Sequence, residues 1–413
     1  MRISMERLTA DLENYAQYGK DERGGVTRPS FSAADLEVRR LFVEELQAMG
    51  LAVTIDAAAN IWARRKGSGQ KQGAIVIGSH LDTVPNGGKY DGALGVLVAK
   101  EIMKTLIESD VTLSHDLEIV SFTAEESNDF GYSTFGSRAF VGRLTAEQLQ
   151  HARDSQGRLL ADALQEAGGD LGRFAELGAL QVEKKAFLEL HIEQGKRLEA
   201  KDIAIAVVNT AVGIYRSKIT VSGQANHSGT TMMEHRFDAL VAAAEMILAV
   251  EQLCKSTPSD LVGTVGQLQV FPNAVNIVPG RVGFTLEIRG ENEEEMLAVG
   301  ARIRERWVDI ARKRGVEVEQ RVLQAQKPAV FDPQLVSILQ ETAQSIGEPC
   351  LTLASMAVHD AVHMGDITKS AMIFVKSIDG KSHCPEEYSL PEDIETVANF
   401  FLQAVLQLDR QLD

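Results

Sequence analysis

The chain has 413 residues, 44% hydrophobic and 24% charged, the balance of a globular protein too long for one hydrophobic core. A formal net charge of −16 argues against nucleic acid or an anionic membrane as partner, and no stretch approaches the roughly 20 apolar residues of a membrane span. Three distant cysteines, Cys254, Cys350 and Cys384, and an N-terminal stretch without an apolar signal core fit neither disulfides nor a zinc–thiolate knot; a cytoplasmic location is expected.

In chain order, residues 32–49 carry Leu36, Leu41, Phe42, Val43 and Leu46 at helical spacing behind Ser32 as a cap. Short apolar runs at 74–78, 117–122 and 187–191 read as strands covered on both faces, the mark of an α/β sheet. Residues 92–106 read as a helix entered through a glycine-rich turn. From about residue 213 the pattern changes to strand 214–222, helix 237–253, strands 261–270 and 276–288, helix 292–314 and strand 316–323. This β-α-β-β-α-β order is that of a ferredoxin-like unit. Residues 324–328 read as a hinge, 372–377 as a buried strand and 390–408 as a final amphipathic helix. The expected architecture is α/β: a discontinuous catalytic domain, 1–212 and 328–413, with a mixed, mostly parallel sheet covered by helices, and an inserted ferredoxin-like lid or dimerisation domain, 213–327.

The chemistry concentrates at predicted strand ends. His80 ends an apolar run and Asp82 follows two residues later; a metal-bound imidazole needs an acceptor on its second nitrogen, which a nearby carboxylate supplies. Asp91 sits among Gly87, Gly88 and Gly92, and becomes a candidate bridging carboxylate because His80 lies a short loop upstream. Glu125 and Glu126 follow the strand 117–122, and adjacent glutamates resist burial unless cations or protons neutralise them. His191 and His383 each lie beside or just beyond a strand. Taken singly, these are a strand-end histidine, a glycine turn and a solvated acidic loop. Together, His80, Asp91, Glu126, His191 and His383 form a nitrogen and oxygen set suited to two divalent cations.

With the runs Gly24-Gly25-Val26-Thr27-Arg28, Asn226-His227-Ser228-Gly229, Pro272-Asn273-Ala274-Val275-Asn276 and His359-Asp360-Ala361, these segments make the chain resemble a known superfamily nearly end to end. It is the dinuclear-metal amidohydrolases and peptidases that include carboxypeptidase G, aminoacylases and dipeptidases. Within it, the chain looks most like the branch of allantoate amidohydrolases, N-carbamoyl-L-amino acid hydrolases and β-ureidopropionases. The resemblance implies one metal on His80, Asp91 and His191, a second on Asp91, Glu126 and His383, and Asp82 orienting His80. It implies Glu125 as general base and His227 as an oxyanion donor reaching the other subunit's site, hence a homodimer through the inserted domain. Gln194, Asn276, Arg289 and His359 match substrate contacts, and Arg216 contacts substrate or supports the hinge. The metal stays open among zinc, manganese, cobalt and nickel.

The implied reaction is hydrolysis of a C–N amide bond in a small anionic ureido or carbamoyl substrate, releasing ammonia and carbon dioxide. An aminoacylase or dipeptidase is the alternative; His191, where peptidases of the superfamily more often place a carboxylate, favours the former. Val358 stands where relatives have glycine before the His-Asp-Ala run, and Met232 replaces a proline beyond His227, so the pocket differs in shape from theirs.

Overall fold

A computed structural model describes residues 1–413. Apolar and β-branched runs between turn residues form its principal strands: β1 (Ala52–Ile55), β2 (Ile61–Arg65), β3 (Ala74–His80), β4 (Asp116–Phe122), β5 (Lys184–Ile192), β6 (Ile205–Ala211), β7 (Gly213–Ser222), β8 (Val262–Phe271), β9 (Arg281–Gly290), β10 (Glu317–Gln326) and β11 (Lys369–Val375). Contacts divide the chain into one unit of Met1–Asn209, Phe331–Leu353 and His359–Asp413, and another of Thr210–Val330 with Ala354–Val358.

In the first unit the strands lie in the order β1-β2-β4-β3-β5-β11-β6. The four central strands are parallel to one another, and β2 and β6 add to them in antiparallel fashion. Both faces are covered, which explains the near-continuous apolar, wholly buried runs of β3 and β5, broken in β5 by the buried Glu189. Ile75, Ile77, Leu188 and Leu190 share a core with Leu97 and Ile102 of helix Ala93–Glu108 and Phe401 and Leu408 of helix Pro391–Gln411. Elsewhere in the unit Phe122 packs edge-on against both Trp62 and Phe187, while Trp62 Nε1 donates to Asp56 Oδ2 at 2.8 Å. Parallel neighbours end at one edge of a sheet, and that edge is where open α/β sheets build sites. Here it carries His80 at the end of β3, Glu125 and Glu126 just beyond β4, and His191 near the end of β5.

The second unit is antiparallel, in the order β10-β7-β9-β8, with helices Ala239–Lys255 and Glu293–Arg314 completing the β-α-β-β-α-β sequence. Val282, Phe284, Leu286 and Ile288 alternate inward on β9 and pack with Met246, Ile303 and Trp307 of the two helices. Asn292 caps the longer helix by accepting from Glu295 N at 3.1 Å; glutamates crowd its first turn and Arg312, Lys313 and Arg314 its last, matching the helix dipole.

Three local readings differ. The strand expected at 276–288 is interrupted at Pro279-Gly280, where proline lacks a donor, leaving Ile277–Val278 paired with Asn226–His227 and β9 beginning at Arg281. Gln324, Ala325 and Gln326, expected in a hinge, continue β10 opposite Arg216, Tyr215 and Ile214. The segment Ala354–Val358 groups with the second unit, where Met356 O accepts from Arg289 Nη1 at 3.0 Å.

Candidate metal centre

The cage starts from two histidines held in the same way. His80 Nδ1 lies 3.0 Å from the carbonyl of Asp82, and His191 Nδ1 lies 3.0 Å from the carbonyl of Ile192. A carbonyl only accepts, so each imidazole donates from Nδ1 and turns Nε2, the nitrogen left for a ligand, inward. Both Nε2 atoms face Asp91 Oδ1, at 3.6 Å from His80 and 3.1 Å from His191. Gly92 lets the His80 ring in: a Cβ there would sit 2.3 Å from His80 Cε1.

The other oxygen of Asp91 faces a second group. His383 Nε2 lies 3.4 Å from Asp91 Oδ2 and 3.3 Å from Glu126 Oε1. Hydrogen bonds to Asp91 and Glu126 push the His383 imidazole up to about 10. Asp91 Oδ2 also accepts from Gln194 Nε2 and from Ser382 Oγ, each at 2.8 Å. The Asp91 carboxyl is held well below its usual range; burial opposes this, and His191, His383 and His80 outweigh it.

Ligand atoms of His80, Asp91 and His191 form one group within 4.8 Å, and those of Asp91, Glu126 and His383 a second. Donors around a tetrahedral ion at about 2.1 Å lie about 3.4 Å apart. The separations of 3.1 to 3.6 Å straddle that value. His80 Nε2 is buried without a hydrogen-bond partner, a polar atom that a cation would satisfy. The residues therefore fit two divalent ions sharing Asp91.

Glu125 stands beside this cage, its Oε2 3.7 Å from His80 Nε2. Burial pushes its carboxyl well above the ordinary range, and Glu126, Asp360 and Asp82 add to the rise against the pull of His80. Asp82 holds the loop that bears both glutamates: Oδ1 accepts from Glu125 N at 3.2 Å, and Oδ2 from Glu126 N at 3.1 Å and Ser30 Oγ at 2.7 Å. The carboxylate expected to orient His80 is 3.5 Å from its Nδ1, farther than the Asp82 carbonyl. His359 packs its ring 4.3 Å from that of His191; burial first, then His191, keeps it neutral.

Arg216, His227, Asn276 and Arg289 belong to the second unit. Glu287 joins the two arginines, its Oε1 accepting from Arg289 Nε at 2.7 Å and its Oε2 from Arg216 Nε at 2.8 Å. His227 Nδ1 accepts from Gly229 N at 3.0 Å and Thr230 N at 3.2 Å, so its proton sits on Nε2. Asn276 O accepts from Ser228 N at 3.0 Å, placing Asn276 beside His227.

Sequence reasoning passed over Ser30, Glu287 and Glu387, and noted Ser382 only as the neighbour of His383. Glu287 lies two residues before Arg289 on one strand face, a spacing that could have revealed it. Glu387 shares a short run with His383 but carries no periodic signal.

The profile of Peptidase family M20/M25/M40 matches residues 76–407. An N-carbamoyl-L-amino acid amidohydrolase of Geobacillus stearothermophilus is 38% identical, covering 98% of this chain and 99% of that one. An allantoate amidohydrolase of Bacillus subtilis is 34% identical, covering 95% of each chain. The crystal structure of an amidase of the hydantoinase/carbamoylase family from Burkholderia multivorans is similar at a TM-score of 0.90 and 34% identity, covering 98% of both chains.

Proposed function

This chain belongs to Peptidase family M20/M25/M40 and is an amidohydrolase, and from that premise we propose that it cleaves a linear C–N amide bond in a small carboxylate-bearing ureido or carbamoyl substrate. Allantoate and N-carbamoyl amino acids are the substrate types favoured by its relatives' names. The observation that carries the reading is the division of Asp91: Oδ1 faces His80 and His191, and Oδ2 faces His383, with Glu125 alongside.

Two divalent cations, held by His80, Asp91 and His191 and by Asp91, Glu126 and His383, would supply Lewis acidity to the scissile carbonyl and a lowered pKa to the attacking water. Glu125 takes the proton of the attacking water on its carboxylate and passes it to the departing nitrogen, a task its place beside the cage suits. His227 donates from Nε2 to the developing oxyanion, a role supported by the two backbone donors that occupy its Nδ1. Arg289 receives the substrate carboxylate, with Glu287 holding its Nε edge and Arg216 beside it. Water adds to the carbonyl carbon and the C–N bond breaks, leaving the substrate's amine and a carbamate, whose own C–N bond then breaks to give ammonia and carbon dioxide.

The test is ammonia and amine release from a panel of N-carbamoyl amino acids, β-ureido acids, allantoate, N-acyl amino acids and dipeptides, with manganese, zinc and cobalt supplied separately. Turnover confined to the carbamoyl and ureido members is expected. Turnover confined to N-acyl or peptide bonds would move the protein to the aminoacylases or dipeptidases.

A further inference from the structure

We propose that Glu387 is the positioning residue of the cage: it locks the shared carboxylate Asp91 to the turn that carries His383. The loop before Asp91 contains Gly87 and Gly88, with Gly92 just after, so the chain has little stiffness of its own where a bridging ligand must be held most accurately. Stiffness arrives from the other end of the sequence. The Glu387 side chain is buried, and its Oε1 accepts from both Tyr90 N and Asp91 N at 3.0 Å.

Its other oxygen, Oε2, lies 3.0 Å from Ser382 Oγ, which lies 2.8 Å from Asp91 Oδ2. Ser382 immediately precedes His383, and Glu387 N closes the turn by donating to Cys384 O at 3.1 Å. One carboxylate thus fixes the Asp91 main chain, the serine that touches the Asp91 side chain, and the turn of His383. Gly88 makes room for it, since a Cβ there would fall 2.0 Å from Glu387 Oε1. Tyr388 packs edge-on against Tyr90, with ring centroids 6.0 Å apart, binding the same two segments. His383 has a positive φ of 58° and a half-exposed side chain, so it is the ligand with most to lose when the turn loosens.

The proposal rests on the reading of the cage as a two-cation site. The full-length protein is stripped with chelator and titrated calorimetrically with manganese or zinc alone, and its melting temperature is measured with and without each ion. Wild type is expected to bind two ions. Glu387→Ala should bind the ion at Asp91, Glu126 and His383 about 10- to 100-fold more weakly, and its metal-induced rise in melting temperature should shrink. Glu387→Gln should recover most of that affinity, because its amide oxygen still accepts from Tyr90 N and Asp91 N while its NH2 donates to Ser382 Oγ. Two ions bound by Glu387→Ala at wild-type affinity would overturn the proposal, whether or not the metal-free variant melts lower. Absence of binding by the wild type would instead bring down the cage reading, and this proposal with it.

Discussion

Glu125 and Glu126 are neighbours in sequence whose carboxylates point to different partners, which suits them to the different tasks proposed. Glu126 Oε1 meets His383 Nε2 at 3.3 Å, whereas Glu125 Oε2 lies beside His80, outside both ligand groups. Glu125→Gln keeps the shape and removes the proton acceptor. It should lower kcat by about 10²- to 10⁴-fold while both cations stay bound, checked by steady-state kinetics beside metal analysis. Retained turnover would remove Glu125 from the base role. Chelation gives the complementary result, since it removes the Lewis acid on which the proposed attack depends. Activity should vanish and return on add-back. Each ion at about 100 times its Kd should restore about 2.7 kcal/mol of stability, read from denaturant melts. The candidate ligands His80, Glu126 and His191 stood out in the sequence because each lies at or just beyond the end of an apolar strand, where a polar side chain is conspicuous. Ser382 and Glu387 did not. They act through a hydroxyl and two backbone N–H groups, contacts that leave no trace in spacing.

At the scale of elements, the glycines around Asp91 do more than turn the chain. Gly95, in the first turns of helix Ala93–Glu108, lets that helix lie directly on β5: a Cβ would sit 2.2 Å from Leu190 O and 2.9 Å from Ser79 Cβ. Backbone cannot swing aside as a side chain can. Gly95→Ala, which would raise helix propensity on an exposed face, should here destabilise the protein by about 1–3 kcal/mol and disturb both β3 and β5 where they present His80 and His191. A urea melt measures the first effect, and cation affinity the second. The helix was legible from its apolar spacing, and three of the parallel strands from their near-continuous apolar runs. Strand β6 was passed over, although Ile205, Ala206, Val207 and Val208 are all buried in a run of the same kind. The break at Pro279-Gly280 was passed over because the apolar residues on either side read as one strand.

For the whole molecule, the open question is what covers the edge of the second sheet. Strand β8 is the end strand of the order β10-β7-β9-β8 and exposes Val262, Leu268 and Phe271. Helix Ala239–Lys255, which packs with it, exposes Val241 and Leu248. A ten-residue edge strand with exposed apolar side chains is a template for another strand unless something pairs with it. A second copy, related by a two-fold axis, would pair β8 with β8 and bury those side chains. If His227 then serves the partner's cage, two inactive proteins should repair each other. Glu125→Gln lacks the base but keeps His227; His227→Ala lacks the donor but keeps Glu125. In a mixed dimer the site with intact Glu125 faces an intact His227, and the other site has neither. Random exchange at equal amounts makes about half of the dimers mixed, each with one working site, so about a quarter of wild-type activity should return. Light scattering checks the dimer, and activity after exchange checks the partnership. With His227 acting on its own chain's site, mixing would restore nothing, and Leu268→Lys, placed on the edge, would separate the copies while leaving each one active.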